Sequence, residues 1–294
     1  MNQLHHCPIC DGTEFTPFLQ GIDYTVSKEK FMIEKCNACN FHFTNPIPTA
    51  DKIGDYYKSE SYVSHSSTSK GVINKIYQVV RKHTLKQKVK LVKRAGKGTQ
   101  ILDLGAGTGH FVNACNQANL NAIGLEPDSD ARNFGIANFK IDLQSIENLH
   151  SLPNESRDVI TMWHVLEHVY DLKKDVAKIV QVLKNDGVLI VAVPNHNSHD
   201  AQHYREFWAA YDLPIHLYHF IPSDIENLFK QFDLQVDEIL PMKFDAYYVS
   251  MLSEKYKGGN TLSGIWRGWR SNMNAKQGTY SSQIYILRKK RNYM

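Results

Sequence analysis

The heptapeptide Asp103-Leu104-Gly105-Ala106-Gly107-Thr108-Gly109 constrains this chain more than any other segment. It closes a short apolar run, Gln100 to Leu104, and leads into helical spacing, so it predicts a strand, a tight turn and a helix. Glycines there permit positive φ and let a ligand approach the backbone closely. The helix N-terminus that follows favours a negatively charged ligand group. Dinucleotide sites use related loops, but here His110 stands at the last glycine position of G-x-G-x-x-G. No G-K-[ST] lysine follows, which argues against a nucleoside triphosphatase. Asp103, just before the turn, suits an ammonium group better than a pyrophosphate. Glu126 ends a second predicted strand about 20 residues further on, where a carboxylate can accept hydrogen bonds from both hydroxyls of a ribose.

Strands and helices alternate around that loop. Predicted strands are Gln100–Leu104, Asn121–Leu125, Phe139–Asp142, Val159–Trp163 and Val188–Val193. Predicted helices are Phe111–Ala118, Ser129–Gly135 and Leu172–Leu183, the last ended by Asn185-Asp186-Gly187. This order predicts an α/β fold with a doubly wound, mostly parallel, Rossmann-like sheet. Leu234–Ile239 and Gln283–Lys289 bring the sheet to seven strands. Three regions are expected: a cysteine-bearing segment 1–50 closed by Asn45-Pro46-Ile47-Pro48, a helical connector 51–95, and the α/β domain 96–294. In the connector a polar patch, Ser59 to Ser69, separates a short helix from a long amphipathic one near Ile73–Lys93.

Cys7-Pro8-Ile9-Cys10 and Cys36-Asn37-Ala38-Cys39 are two C-x2-C pairs 25 residues apart, and they hold four of the five cysteines. Two such knuckles can complete a tetrahedral S4 zinc site, with thiolates about 2.3 Å from the metal. A segment this small needs a metal to supply its folding energy. Four thiolates leave no open coordination position, so the zinc is expected to be structural. Cys115 sits alone in a predicted helix and reads as a core residue.

The remaining composition is that of a soluble globular chain, 42% hydrophobic and 22% charged. The net charge of +4 is modest. Basic residues concentrate only at Arg81–Arg94 and Arg288–Arg291, too weakly for a nucleic-acid footprint. No run of about 20 apolar residues could span a bilayer, and no secretory pattern opens the chain, so a cytoplasmic location is expected. The oligomeric state is left open.

Further motifs follow in order: Gly124-Leu125-Glu126-Pro127-Asp128, Trp163-His164-Val165-Leu166-Glu167-His168-Val169, Leu183-Lys184-Asn185-Asp186-Gly187-Val188-Leu189, Val193-Pro194-Asn195 and His216-Leu217-Tyr218-His219-Phe220. With the glycine loop they make residues 98–240 resemble the class I S-adenosylmethionine (SAM)-dependent methyltransferases, in the broad ubiquinone-type group. The resemblance implies that Asp103, Gly105, Ala106, Gly107 and Gly109 hold the methionine part of SAM. Glu126, followed by Pro127, would bind the ribose, Asp142 with Leu143–Ile146 would flank the adenine, and Trp163 and His164 would lie beside the methyl group. In ubiquinone O-methyltransferases an acidic residue at the place of His164 helps to hold a divalent metal. The two cysteine knuckles, with Phe41-His42-Phe43-Thr44-Asn45-Pro46, resemble the N-terminal domain of sugar C-methyltransferases. Those enzymes use a Glu-His pair as base. Here His216 keeps the histidine, and Ile215 replaces the glutamate.

Methyl transfer from a sulfonium is an in-line displacement, so positioning dominates. A hydroxyl or carbon-acid acceptor also needs a base. Candidates are His164 and His168, on one face with Glu167 if that turn is helical, and His196, His199, His203, His216 and His219 beyond the fifth strand. His216 leads. A small-molecule acceptor, such as a carbohydrate or lipid-like precursor, is the first expectation. Two alternatives are a protein or RNA methyltransferase that docks through the ribbon and a non-catalytic SAM-binding module. Lys28, Lys30 and Lys35 face five acidic residues in the ribbon segment, Asp11, Glu14, Asp23, Glu29 and Glu34, which argues against RNA. The aromatic stretch 242–282 is compatible with core packing, a substrate wall or an oligomer interface.

Overall fold

The computed structural model describes residues 1–57 and 72–290; the polar patch Ser59–Ser69 and Arg291 lie outside them. Three antiparallel strands open the chain: β1 (Phe15–Ile22), β2 (Lys30–Cys36) and β3 (His42–Thr44). A 3-10 turn, Ile53–Tyr57, stands where the short connector helix was expected, and α1 (Val72–Ala95) is the long one. Its Val89, Val92 and Ala95 are buried at helical spacing against the main sheet.

The main sheet is seven-stranded, as the alternation predicts, in the order β10-β11-β8-β7-β4-β5-β6. Its strands are β4 (Gln100–Leu104), β5 (Asn121–Leu125), β6 (Leu143–Gln144), β7 (Arg157–Trp163), β8 (Leu183–Pro194), β10 (Leu234–Pro241) and β11 (Ser282–Lys289). Strands β6, β5, β4, β7 and β8 run parallel, and β11 enters antiparallel between β8 and β10. Central strands such as Ile101-Leu102 and Val188–Val193 are inaccessible on both faces, which is why they read as continuous apolar runs. Helices α2 (His110–Gln117), α3 (Ser129–Phe139) and α4 (Leu172–Val182) fill the crossovers. In α4, Leu172, Val176, Ile179 and Val182 form the buried stripe. Cys115 is fully buried in α2, as a core residue should be.

Two boundaries differ from expectation. The third strand is not Phe139–Asp142 but Leu143–Gln144, because α3 runs on through Phe139 and ends on Lys140 in the left-handed conformation, φ 54°. Asp142 therefore immediately precedes the strand. At Asn185-Asp186-Gly187 the chain is already extended: α4 stops at Val182, Leu183 pairs with Arg157, and the register shifts before Val188 joins Val159.

Beyond β8 come α5 (His199–Tyr204), two 3-10 turns, β9 (Tyr218–His219) and α6 (Pro222–Lys230). Between β10 and β11 the chain forms α7 (Lys243–Lys257) and α8 (Thr261–Asn274). Strand β9 leaves the main sheet and becomes the fourth strand of the N-terminal one, pairing His42 with His219 and Phe43 with Tyr218. Thr44 reinforces the joint: its N–H donates to the Leu217 carbonyl at 2.9 Å and its hydroxyl to the His216 carbonyl at 2.8 Å. Phe41, Phe43, Cys36 and Ile9 share one hydrophobic cluster with Leu217, Phe220, Leu166 and Ile160. The cysteine-bearing segment thus packs into the core of the α/β sheet.

Phe41 is wholly buried at this joint and contacts the rings of Phe43, Tyr218 and Phe220. Phe41→Ala is expected to cost about 3–5 kcal/mol, and denaturant unfolding followed by both near-UV and far-UV circular dichroism should shift as one transition.

Candidate functional site

The glycine loop leaves β4 with three positive-φ glycines: Gly105 at 64°, Gly107 at 51° and Gly109 at 76°. A Cβ on Gly105 would stand 2.4 Å from Val165 and one on Gly109 2.3 Å from Ile141, so packing as well as conformation demands glycine there. Gly107 meets nothing within 4 Å, so the middle of the loop is open to a ligand. Beneath it lies Glu126, 8% exposed, whose carboxylate accepts from the N–H of Gly107 at 2.7 Å and of Asp128 at 2.9 Å. Burial raises its pKa, and these two donors counter the shift. Ala106 is held by its N–H to the Leu125 carbonyl at 3.0 Å, and Pro127 sits exposed at the rim.

Asp103, 2% exposed, accepts from the Thr161 hydroxyl at 2.6 Å. Burial pushes its pKa up to about 7, against the Thr161 hydrogen bond and the nearby charge of Lys88. Lys88 reaches in from α1 with its ammonium 4.3 Å from the ring centre of Trp163. Burial lowers its pKa, and Asp103 and Asp245 oppose that. A cation and an acid at one end of the cradle match a zwitterionic ligand terminus, and sequence spacing gave no hint of Lys88. Asp142 is exposed and takes both amide contacts of Gln144, at 2.9 and 3.0 Å.

His164 follows Trp163 in a left-handed conformation, φ 58°. That turn sends its ring back between two carboxylates, Nε2 at 2.9 Å from Asp245 and Nδ1 at 3.3 Å from Glu167. Burial works against its charge, but the two ion pairs outweigh it and raise its pKa to about 10. Glu167 is inaccessible, and its carboxylate has no hydrogen-bond donor among the described residues. The segment Leu166–His168 is a 3-10 turn rather than an α-helical one.

The three predicted catalytic histidines come together here. His168 and His216 stack edge to face with ring centres 4.6 Å apart. Nδ1 of His216 lies 2.9 Å from the Ala210 carbonyl and Nδ1 of His168 2.9 Å from the Ile215 carbonyl. A carbonyl can only accept, so Nδ1 carries the proton in each ring and Nε2 keeps a lone pair. Burial holds both rings neutral; it pushes the His216 pKa well below the usual histidine range, and His168 adds to that. Potential ligand atoms of Glu167, His168 and His216 lie within 4.8 Å of one another, a donor set that could also hold a divalent cation. Asp212 stands 4.0 Å from Nε2 of His216, with a pKa pushed up to about 7 by burial and by the charges of Asp23 and Glu167. It also lines a small cavity with Ile22, Tyr24, Trp208, Tyr211 and Tyr256, so the N-terminal sheet contributes a wall next to the histidines.

Not all the histidines belong to this cluster. His196 packs against His42 with ring centres 4.4 Å apart, and His219 Nε2 meets the Thr44 hydroxyl at 3.1 Å, so both serve the joint with the N-terminal sheet. His199 and His203 lie on α5. Asp245, on α7, is a site residue that sequence reasoning missed; 81 residues separate it from His164.

The sulfurs of Cys7 and Cys39 are 3.6 Å apart, as are those of Cys10 and Cys36, and all four lie within 4.8 Å of one another. A tetrahedron with 2.3 Å metal–sulfur bonds has edges of about 3.8 Å, so the cluster fits zinc. Gly12 leaves room beside it: a Cβ there would sit 3.2 Å from Cys36 Sγ.

The profile of a family described as a methyltransferase domain matches residues 77–239. An uncharacterised methyltransferase of Bacillus subtilis is 30% identical over 96 residues, covering 30% of this chain and 38% of that protein. A protein of Mycobacterium tuberculosis named as a probable S-adenosylmethionine-dependent methyltransferase is 24% identical over 195 residues, covering 64% of this chain and 60% of its own. The chain thus spans 38% and 60% of the length of these two curated relatives. Among solved structures, the magnesium protoporphyrin IX methyltransferase of Synechocystis, with bound SAH, matches at TM-score 0.54 and 12% identity, over 82% of this chain and all of that one. That is a likeness of fold.

The His164 ion pairs have a pH signature. A folded-state pKa of about 10 lies above the ordinary histidine value of 6.5, so their stabilisation is complete below about pH 6.5 and is lost as pH rises towards 10. His164→Gln should lower stability by about 2 kcal/mol near neutrality and flatten this decline. Denaturant titrations at a series of pH values would test it; an unchanged slope in the variant would refute it.

Proposed function

This chain belongs to the methyltransferase-domain family, and we propose that it transfers the methyl group of S-adenosylmethionine to a small-molecule acceptor. The observation that carries the reading is that one short segment, residues 163–168, joins the nucleoside cradle to a cluster of neutral and charged histidines. Glu126 would take the ribose hydroxyls, Asp103 the ammonium and Lys88 the carboxylate of the methionine part. The adenine would lie by Asp142 and Leu143. The sulfonium supplies a transferable methyl group when the cofactor is bound, and the chain's own task is to orient the acceptor in line and remove its proton. His216 is suited to that removal: it is buried, neutral and oriented by the Ala210 carbonyl. In the sugar C-methyltransferase pattern a glutamate precedes this histidine; here Glu167, from another element, supplies the nearby carboxylate. Asp212, 4.0 Å from Nε2 of His216, would face the acceptor; the cavity it lines has room for about one water, and Tyr24 and Tyr256 line it stacked on each other, ring centres 4.3 Å apart.

Tritium-labelled S-adenosylmethionine incubated with a small-molecule extract should yield labelled product with the wild type, and His216→Ala should lower that yield by about a hundredfold or more. Calorimetry should show unaltered cofactor affinity in His216→Ala and weakened affinity in Glu126→Ala. Absence of cofactor binding by the wild type would remove the enzyme reading, and label in protein or RNA alone would replace the small-molecule one.

We further propose that Cys7, Cys10, Cys36 and Cys39 hold one structural zinc ion. Metal analysis of protein purified without added metal should give one equivalent per chain. Cys36→Ser should abolish it and destabilise the whole chain, because that knuckle shares the core of the α/β sheet; a metal-free wild type would refute the assignment.

A further inference from the structure

Helix α8 is packed inside out. Gly264, Gly268 and Ser271 form its buried stripe, while Leu262, Ile265, Trp266, Trp269 and Met273 point outwards, from 43% to 78% exposed. The inward face is small because α7 comes too close for anything larger: a Cβ on Gly264 would sit 2.6 Å from Met251 Cα, and one on Gly268 2.7 Å from the Ala246 carbonyl. The helix is also fixed in place. The Ser271 hydroxyl donates to buried Asp200 at 2.7 Å, and Asn260 caps the N-terminus through the Ser263 N–H at 2.9 Å. The outward apolar face is therefore built, not a by-product of looseness.

The charge around it has one sign. Residues 242–281 include six basic side chains, Lys243, Lys255, Lys257, Arg267, Arg270 and Lys276, and two acidic ones, Asp245 and Glu254. Both acids are engaged internally, Asp245 with His164 at 2.9 Å and Glu254 with the Tyr204 and Ser263 hydroxyls at 3.0 Å. Arg267 and Arg270 flank Trp266, with guanidinium carbons 4.8 and 5.3 Å from its ring centre. Two tryptophans, three aliphatic side chains and arginines on one short helix make the composition of an interfacial element. A two-fold contact with a second copy would set these arginines against each other with no free acid on the hairpin to answer them.

We infer that the outward face of α8 docks this protein on an anionic lipid surface, with Trp266 and Trp269 at headgroup depth and the exposed Arg270 on lipid phosphate. The helix is about 21 Å long and would lie flat; no helix among the described residues is long and apolar enough to cross a membrane. Helix α7, which packs against α8 and carries Asp245, would then hold the candidate site close to that surface. The inference does not depend on the methyl-transfer reading.

Flotation of the full chain tests it, with vesicles of phosphatidylcholine alone and of equal parts phosphatidylcholine and phosphatidylglycerol. The wild type should float with the mixed vesicles at low salt, with tryptophan emission shifted to shorter wavelength, and should stay behind with neutral ones. Trp266→Ser/Trp269→Ser should weaken partitioning by about tenfold or more, while calorimetric cofactor affinity and thermal midpoint stay as in the wild type. Arg270→Gln should weaken the preference for the anionic vesicles. A wild type that ignores both vesicles overturns the inference, as does a double tryptophan variant that floats normally. A wild-type dimer that this variant converts to monomer, with no vesicle binding, assigns the face to a second copy and also overturns it.

Discussion

The pairing of His164 with the buried carboxylate of Glu167 governs the site. Glu167 is inaccessible to solvent, and the charged ring of His164, with Nδ1 3.3 Å from its carboxylate, is the partner that offsets the cost of burying it. A cation must stand beside it. His164 is that cation only because a left-handed turn swings its ring off the end of β7, and because Asp245 from α7 supports the same charge. Once one imidazole is charged, desolvation keeps the next two neutral, and the charge of His164 adds to it at both. One charged and two neutral histidines around a single carboxylate therefore form one electrostatic arrangement.

The backbone of Glu167 does a second job. Its carbonyl accepts from the Leu217 N–H at 2.8 Å, and the next residues form β9 against β3. The turn that places the ion pair also anchors the segment that carries His216 and closes the N-terminal sheet. Chemistry and architecture meet at one residue. A change in the N-terminal sheet can reach His216 through Thr44, whose hydroxyl donates to the His216 carbonyl, and through Ile22 and Asp212 at the cavity beside it.

How much of this could be read from sequence depended on distance along the chain. The glycine loop, Glu126 and the parallel strands were legible because each is a local pattern with one dominant physical cause. The cysteine knuckles were legible because ligand spacing is short-range. Strand β6 was misplaced because it has two residues and its start depends on where Lys140 turns left-handed. Strand β9 was invisible: two residues become a strand only through a partner some 175 positions earlier. Lys88 and Asp245 were missed for the same reason, since neither sits in a motif and each acts only after α1 and α7 have folded over β7. The Glu167 turn was half legible. The order His164, Glu167, His168 suggested a common face, but a helical face would not have predicted a ring turned back by positive φ.

The hairpin of α7 and α8 shows where periodicity misleads. Apolar residues at helical spacing define a face, and the ordinary inference turns that face inwards. In α8 the spacing is present and the direction is reversed, because a second periodic set, Gly264, Gly268 and Ser271, lets the backbones approach more closely than large side chains would allow. Close backbone packing, with a buried hydroxyl–carboxylate bond to Asp200, holds the helix without using its hydrophobic surface. Large apolar side chains left over in this way carry a standing hydration cost of about 25 cal/mol per Å². A sequence under selection for solubility alone would replace them with polar residues at no loss to the fold. Their presence beside six basic residues is therefore evidence of a surface that is wet only part of the time.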